Sequence, residues 1–476
     1  GMAAVLALTF SISLVAAQLT TRYSSRLLER LLSLPTILYI MLFALAVVLP
    51  LVLLPSPAPV GVKLSLSWGA LALALLIPYF RYFLWRITPR ALLEDLSREA
   101  EKKLRAGQEA PEIETIDNMA MSAFGFKDYD TFSVALEKLA PLALVQESGE
   151  KEPRPELYRE GIWDRMQDIS LTVMDDPRAA WLDIEALEHL AVAAAGKRLE
   201  KAAERAARSL GVVGRTAVEK GLETTAWQAA HSLGLVGLAA AQKGTENAAS
   251  GTATSLGLMG EAAVQKGLGY TACMAATSLG KVGVAAAQKG LETAAHMAAY
   301  FLGIVGEAAA QKEGLEETAK GVTSSLGDVG IAAAQKGLEA GARVAASSLG
   351  VVGLAAANKR LQTDAIRAVA RKGLEETAKG AASSLGDVGE VSAQKGLGIA
   401  AREAADCLGE VGMYAAQKGL GDVATIAAVS LKKMAKAETG REVVTTALEA
   451  MAVGWKREAL DRFISKYAPE LQGSST

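Results

Sequence analysis

Histidines, cysteines and paired carboxylates are the side chains with which this chain could do chemistry, and they are few. His189, His231 and His296 are its three histidines, and Cys273 and Cys407 its two cysteines. Cys273 and His296 sit at matching places in neighbouring repeats, which invites a metal reading. Two ligands without a third do not make a zinc site. Two thiols supply neither a disulfide framework nor a thiolate cluster. Asp128 with Asp130, and Asp175 with Asp176, bring carboxylates together in sequence. General acid–base chemistry needs such groups to converge. Acids one or two residues apart do not face each other on a helix, and such acids commonly serve helix starts and turns. The chain has no P-loop, nucleophile elbow, zinc motif or dinucleotide fingerprint. These residues point away from an enzyme, and no cofactor or metal is expected.

A binding surface is the other chemistry to consider. Each repeat described below begins its signature with a leading residue, and after eight of the nine a variable position follows 18 residues later: Trp227, Ser250, Cys273, His296, Arg343, Ile366, Arg402 and Thr425. Trp227, Cys273, His296, Arg343 and Arg402 have the side chains suited to contact a partner. They are the candidate contact row on one exposed face of a repeat stack. Unconstrained surface positions would vary in the same way, because single exposed residues need no special cause. A nucleic-acid stripe is not expected. The Lys of each Gln-Lys-Gly run is accompanied by Glu, and the formal net charge of −2 gives no global field.

The elements that must position this row are repeats. A Leu-Gly-x-Val-Gly unit follows Ser209, Ser232, Ser255, Ser278, Phe301, Ser325, Ser348, Ser384 and Cys407 with a period of 23, interrupted by one step of 24 and one of 36. A fixed period of this size signals a stacked architecture. In the period Gly290–Lys312, Leu291, Ala294, Ala295, Ala298, Ala299 and Leu302 share one helical face. The spacing predicts a longer helix to about Val305, a turn at Gly306 and a short helix from Glu307 to Lys312. Gly after Gln-Lys suits a helix end, and the preceding Lys suits the negative end of the dipole. Hydrophobic residues make up 51% of the chain but aromatics only 5%, so the seams are built from Ala, Leu and Val. Units of this kind gain stability only by stacking. Glu313 is an extra residue, and the break between Ser348 and Ser384, an insertion or a fused partial unit, predicts a bend or crack there. Glu442–Leu471 reads as a polar cap.

The stretch Ala229-Ala230-His231-Ser232-Leu233-Gly234-Leu235-Val236-Gly237 resembles the end of the first helix of HEAT-type repeats. That resemblance implies an α-solenoid of helix–turn–helix units, with a second helix shorter than is usual in that family.

Ahead of the repeats the chain changes character. Three apolar stretches, at about 2–19, 34–54 and 64–84, approach the ~20 residues a helix needs to cross a bilayer. Arg22, Arg26 and Arg30 follow the first, and Arg81, Arg86 and Arg90 the third, while the short second loop carries only Lys63. Arg-rich loops prefer the cytoplasm, which places the C-terminal bulk inside. Thr9, Ser11, Ser13 and Gln18 give the first stretch polar groups that serve as helix–helix contacts or line a path. Phe10, Ser11, Leu14, Val15, Ala16, Gln18 and Leu19, then Ser25, Arg26, Leu27 and Leu28, resemble the signature of a family of uncharacterised prokaryotic predicted membrane proteins. The aromatic–basic exit 77–88 and, loosely, segment 120–139 extend that resemblance over about residues 2–145. It implies four membrane helices, one of them ahead of residue 1. Gly125–Tyr129 departs from the family's Pro-Gly-Asn-Asp-Pro core.

Together these readings predict an all-α chain. Residues 1–88 form a membrane region of three helices, and 89–185 a soluble helical segment. Residues 186–440 form a HEAT-like α-solenoid of about ten 23-residue helix–turn–helix repeats, and 441–476 a cap helix and tail. The expected function is a membrane-anchored scaffold for protein–protein interaction. The alternative is a channel or transporter with a regulatory repeat domain. Expected partners are the lipid bilayer and a protein on the solenoid surface, not nucleic acid. The membrane helices offer a further contact between copies of the chain. The expected location is the plasma membrane of a prokaryote, with the repeats in the cytoplasm.

Overall fold

Thr88 and Pro89 begin the described part of the fold as a helix start should. The Thr88 hydroxyl accepts the Ala91 N–H at 3.4 Å, and Pro89 occupies the first turn, where no amide donor is missed. The computed structural model describes residues 88–148, 161–362, 368–437, 440–451, 457–469 and 471, with isolated helical positions between 41 and 81. Contacts divide the chain after Ile169 into two compact units. Among the described residues there are helices and no strands.

In the first unit, α1 (Pro89–Arg105), α2 (Glu112–Gly125) and α3 (Tyr129–Ser148) pack pairwise. Leu93, Leu96, Ile116, Met119, Phe132 and Leu136 fill the centre. Lys103 holds Glu112 at 2.6 Å, an ion pair that raises the proton affinity of the lysine. α4 (Ile162–Val173) begins in this unit, where Arg165 reaches Asp117 of α2 at 3.1 Å. The expected membrane stretches lie outside the described residues except at isolated positions. Met41, Leu45, Val48 and Val52 are four of these, each helical and exposed.

The second unit is a row of helices. α5 spans Pro177–Gly196, α6 Glu200–Lys220, α7 Glu223–Lys243, α8 Glu246–Lys266 and α9 Gly269–Lys289. α10 spans Glu292–Gln311, α11 Glu316–Gln335, α12 Glu339–Gln362 and α13 Ala368–Gln394. α14 (Gly398–Gln417), α15 (Gly421–Met434), α16 (Gly440–Met451) and α17 (Arg457–Tyr467) complete it. Through α15 each helix packs on its neighbour and on the helix after that. From α6 to α10 consecutive helices are joined by two-residue Gly-Leu or Gly-Thr links, and up to α15 the other described links have three or four residues, so consecutive helices run antiparallel and fall into two layers. Helices two apart run parallel in one layer. Glu200 of α6 accepts the Asn247 N–H of α8 at 2.9 Å, start to start, and Lys312 after α10 donates to the Gln265 carbonyl of α8 at 2.9 Å, end to end.

This corrects the helix–turn–helix expectation. One period is one helix, and the expected turn at Gly306 is the interior of α10. Read alone, a glycine inside a helix costs about 1 kcal/mol relative to Ala. Here the two glycines of Leu-Gly-x-Val-Gly lie three residues apart, on the face that meets the helix two places on. A Cβ on Gly280 would stand 2.7 Å from the Cβ and Oγ of Ser325, and one on Gly283 2.7 Å from the Val329 side chain. Ser255, Ser278, Ser384 and Ser430 sit in the same way over Gly211, Gly234, Gly327 and Gly386. The glycines are sockets for close packing, and packing outweighs propensity.

The helix ends follow the expected chemistry. Gly221 closes α6 at φ 75°, with the Leu222 N–H bonded to the Ala217 carbonyl at 2.8 Å. Between α5 and α6 the same left-handed position falls on Arg198, at φ 58°. The two irregularities do not break the stack. Glu313 is absorbed in the link after α10, where Gly314 takes φ 83°. Across the step of 36, Ser384 still seats on Gly327 and Cys407 on Gly350, while α13 starts at Ala368, before the usual Glu375 register. At the first end Glu188 replaces the socket glycine and accepts the Ser232 hydroxyl at 2.6 Å. At the last end the Phe463 ring of α17 occupies the Gly412 socket.

Two glycine substitutions therefore have opposite signs. Gly321→Ala in α11, where a Cβ meets nothing, is expected to stabilise by about 1 kcal/mol. Gly280→Ala is expected to destabilise by about 1–3 kcal/mol, and the loss is expected to be relieved by adding Ser325→Gly. Denaturation midpoints followed by helical circular dichroism check both. Equal effects at the two sites would show that the sockets are not real.

Candidate protein-contact faces

Alternation of layers decides where the candidate row goes. Trp227 and Cys273 lie on α7 and α9, in one layer. His296, Arg343 and Arg402 lie on α10, α12 and α14, in the other. Trp227, Cys273, Arg343 and Arg402 are exposed and His296 is half-buried. One sequence row is thus two structural rows on opposite faces. Cys273 and His296 stand in different layers on consecutive antiparallel helices, so the repeat does not stack them. Among the described residues no group of three His, Cys, Asp or Glu is placed to hold a metal. Thr425 is exposed and Ser250 half-buried, and Ile366 lies outside the described residues.

The face of the odd-numbered helices carries aromatics at its start. Trp181 of α5 stands two periods before Trp227, at the same register, and is 52% exposed. Sequence reasoning missed it because the signature is absent from α5; the signal was the two-period spacing. The Trp181 indole N–H donates to Glu185 at 3.2 Å, and the Trp227 ring stacks on His231 at 5.8 Å between centroids. These i,i+4 partners fix each indole flat along its helix. Further along, Lys379 of α13 gathers Asp422 at 2.9 Å and Glu375 at 3.1 Å. Hydrogen bonds from these carboxylates, Asp422 first, hold its ammonium above the usual lysine range.

The face of the even-numbered helices carries an aliphatic line that the sequence row also missed. Val212, Leu258, Ile304 and Val351 share a register three residues after the leading residue. Leu258 is 41% and Val351 42% exposed. Arg402 reaches Asp406 at only 4.0 Å, and burial raises the Asp406 carboxyl despite that arginine. Beneath lies Cys407, seated over Gly350, where burial and the nearby Glu403, Glu410 and Asp406 push the thiol up to about 12. The carboxylate pairs of the sequence do local work. Asp128 accepts the Thr131 N–H at 3.1 Å, Asp176 accepts the amides of Arg178 and Ala179, and Asp175 holds Lys220 at 3.0 Å.

The fold and these faces define an all-helical tandem-repeat array with uniform seams and variable outer positions. No family model and no curated protein matches the chain. Among solved structures it is similar to a circular tandem repeat protein with novel repeat topology and enhanced subunit contact surfaces, at 16% identity and a TM-score of 0.32, over 81% of this chain and 96% of that one.

The two thiols should separate cleanly. In the native chain a maleimide is expected to label exposed Cys273 within minutes and half-buried Cys407 far more slowly until denaturant is added, because the thiolate is the reactive form. Peptide mapping by mass spectrometry reads the result. Equal labelling rates would contradict the raised proton affinity of the half-buried Cys407 thiol.

Proposed function

We propose that the chain is a membrane-anchored scaffold whose helical array binds another protein. The observation that carries this reading is the contrast between seam and surface. Buried registers repeat Ala, Leu, Val and Gly almost without change. Outward registers differ from helix to helix, from Trp227 to Cys273 and from His296 to Arg343. A fold that needs only its seams leaves its outer positions free for recognition. Conserving energy inside while varying side chains outside is how stacked repeats present an extended surface.

The anchoring part rests on the apolar stretches and on their Arg distribution. Exposed Met41, Leu45, Val48 and Val52, at helical spacing, are what lipid tails would cover. Among the described residues one helical segment, Glu339–Lys359, has the length and apolar content of a membrane span. It belongs to α12, and Ala345, Leu349, Val352 and Ala356 pack it into the array, so it supports the stack and not the anchor. The resemblance of residues 2–145 to prokaryotic membrane proteins supports a plasma-membrane location with the array in the cytoplasm.

Photo-crosslinking of the full chain in its membrane tests the proposal. A benzophenone side chain placed on one of the two faces, at Trp227 and Lys281 or at Arg343 and Arg402, is expected to capture one recurrent protein. Trp227→Ala or Arg343→Glu is expected to reduce its co-purification about ten-fold, the scale of ~1.4 kcal/mol. If no outward position captures a recurrent protein, the scaffold reading fails. Ion flux through liposomes holding the purified chain would then favour a channel with a regulatory array.

A further inference from the structure

Asp183 interrupts an otherwise apolar seam. At its register every helix from α6 to α15 carries Ala, Thr or Val, among them Ala206, Ala229, Thr252 and Ala427, all buried. The side chain at this register faces the preceding helix. Ala229 meets the Gly214 socket of α6, and Thr252 meets the Gly237 socket of α7. Thr252 satisfies its hydroxyl inside its own helix by donating to the Ala248 carbonyl at 2.7 Å. An ionised carboxylate has no proton to donate and must be supplied with donors.

Asp183 is 1% exposed, both of its carboxyl oxygens are buried without a hydrogen bond, and the polar group near enough to act on it is the Ser170 hydroxyl of α4. Charged groups on the packed elements are engaged elsewhere. Asp168 of α4 is exposed, Glu188 of α5 accepts the Ser232 hydroxyl of α7, Lys220 of α6 holds Asp175, and Arg215 of α6 holds Glu219. His231 of α7 is exposed and stacked on Trp227. A buried carboxyl with one hydroxyl near it and no hydrogen bond made is stable as the neutral acid, which brings its own O–H, and costly as the anion.

We propose that ionisation of Asp183 loosens the last turn of α4, Ser170–Val173, from α5, making the first joint of the second unit sensitive to pH. Burial is the largest cause of its shift and pushes the carboxyl up to about 7, with Ser170 opposing. An open, solvated Asp titrates near 4. The closed joint therefore has its full stability below about pH 4 and loses it as pH rises from about 4 to 7. Above about pH 7 both closed and open forms are ionised, and the loss levels off.

Hydrogen exchange of the full chain in detergent micelles, read by mass spectrometry and corrected for intrinsic rates, tests this directly. In the wild type, opening of peptides covering residues 170–190 is expected to increase about ten-fold per pH unit from about pH 5 to 7 and then flatten. Asp183→Asn is expected to abolish the slope. Asp183→Ala restores the residue found at this register in most other helices, so it keeps the test open if the Asn variant fails to fold. Ser170→Ala removes the opposing donor and is expected to carry the rise to higher pH. A flat wild-type profile, or the same slope in the Asp183 variants, overturns the proposal.

Discussion

Close approach between parallel helices two places apart is the contact on which the array depends. Ser over Gly, with Val over the next Gly three residues on, recurs along the array, with Phe301 over Gly257 and Met259 over Gly214 as larger occupants, and lets two backbones come together where a side chain in place of the glycine would hold them apart. Alanine seams bury little apolar area per residue, so their stabilisation comes from many short contacts. The interior glycines cost helix propensity in every repeat. The packing they permit must outweigh that cost, and it can do so only when the next helices are present. Stability is therefore a property of the row, and its two ends need different residues. Glu188 and Phe463 occupy or replace sockets at those ends and keep them from standing empty.

The same geometry organises the polar chemistry. Helices of one layer start side by side, so a Glu in the first turn can serve its neighbour's free amides as well as its own end of the dipole. Glu246 accepts the Thr293 N–H at 2.8 Å, and Glu339 accepts the Ile399 N–H at 3.0 Å across the inserted segment. In α6 to α11, α14 and α15 the Leu or Thr before the first helical residue makes no side-chain cap. Capping has moved from within the helix to between helices. It adds direction to seams that are otherwise built from small apolar groups.

Against that uniform interior, exceptions carry the information. The outer registers hold Trp181 and Trp227 at one face and the Val212–Val351 line at the other, each coherent only because every second helix shares a layer. The inner exception, Asp183, lies where the repeat pattern begins. Its position at the first joint means that a titrating group acts on one turn of one helix and leaves the glycine sockets elsewhere untouched.

Much of the array was legible in the residues. The period, the apolar helical face, the glycine that follows most array helices and the Lys–Glu pattern at the links all follow from local rules of helix geometry, and each is found. The number of helices per period was not legible. A glycine in isolation reads as a break, and only a neighbouring Ser325 or Val329 shows that Gly280 and Gly283 are sockets. The break at Ser348–Ser384 likewise reads as a crack, because chain distance cannot reveal that Ser384 still seats on Gly327 and Cys407 on Gly350. A linear pattern also cannot show alternation between layers, so Trp227 and Arg343 appeared in one row. By itself, then, the sequence determined a stacked helical repeat and its seams, because periodic burial is written in residue spacing. Tertiary structure alone decided that each repeat is one helix, that its variable side chains divide between two faces, and that Asp183 is sealed against Ser170. Those outcomes depend on residues one or two helices away.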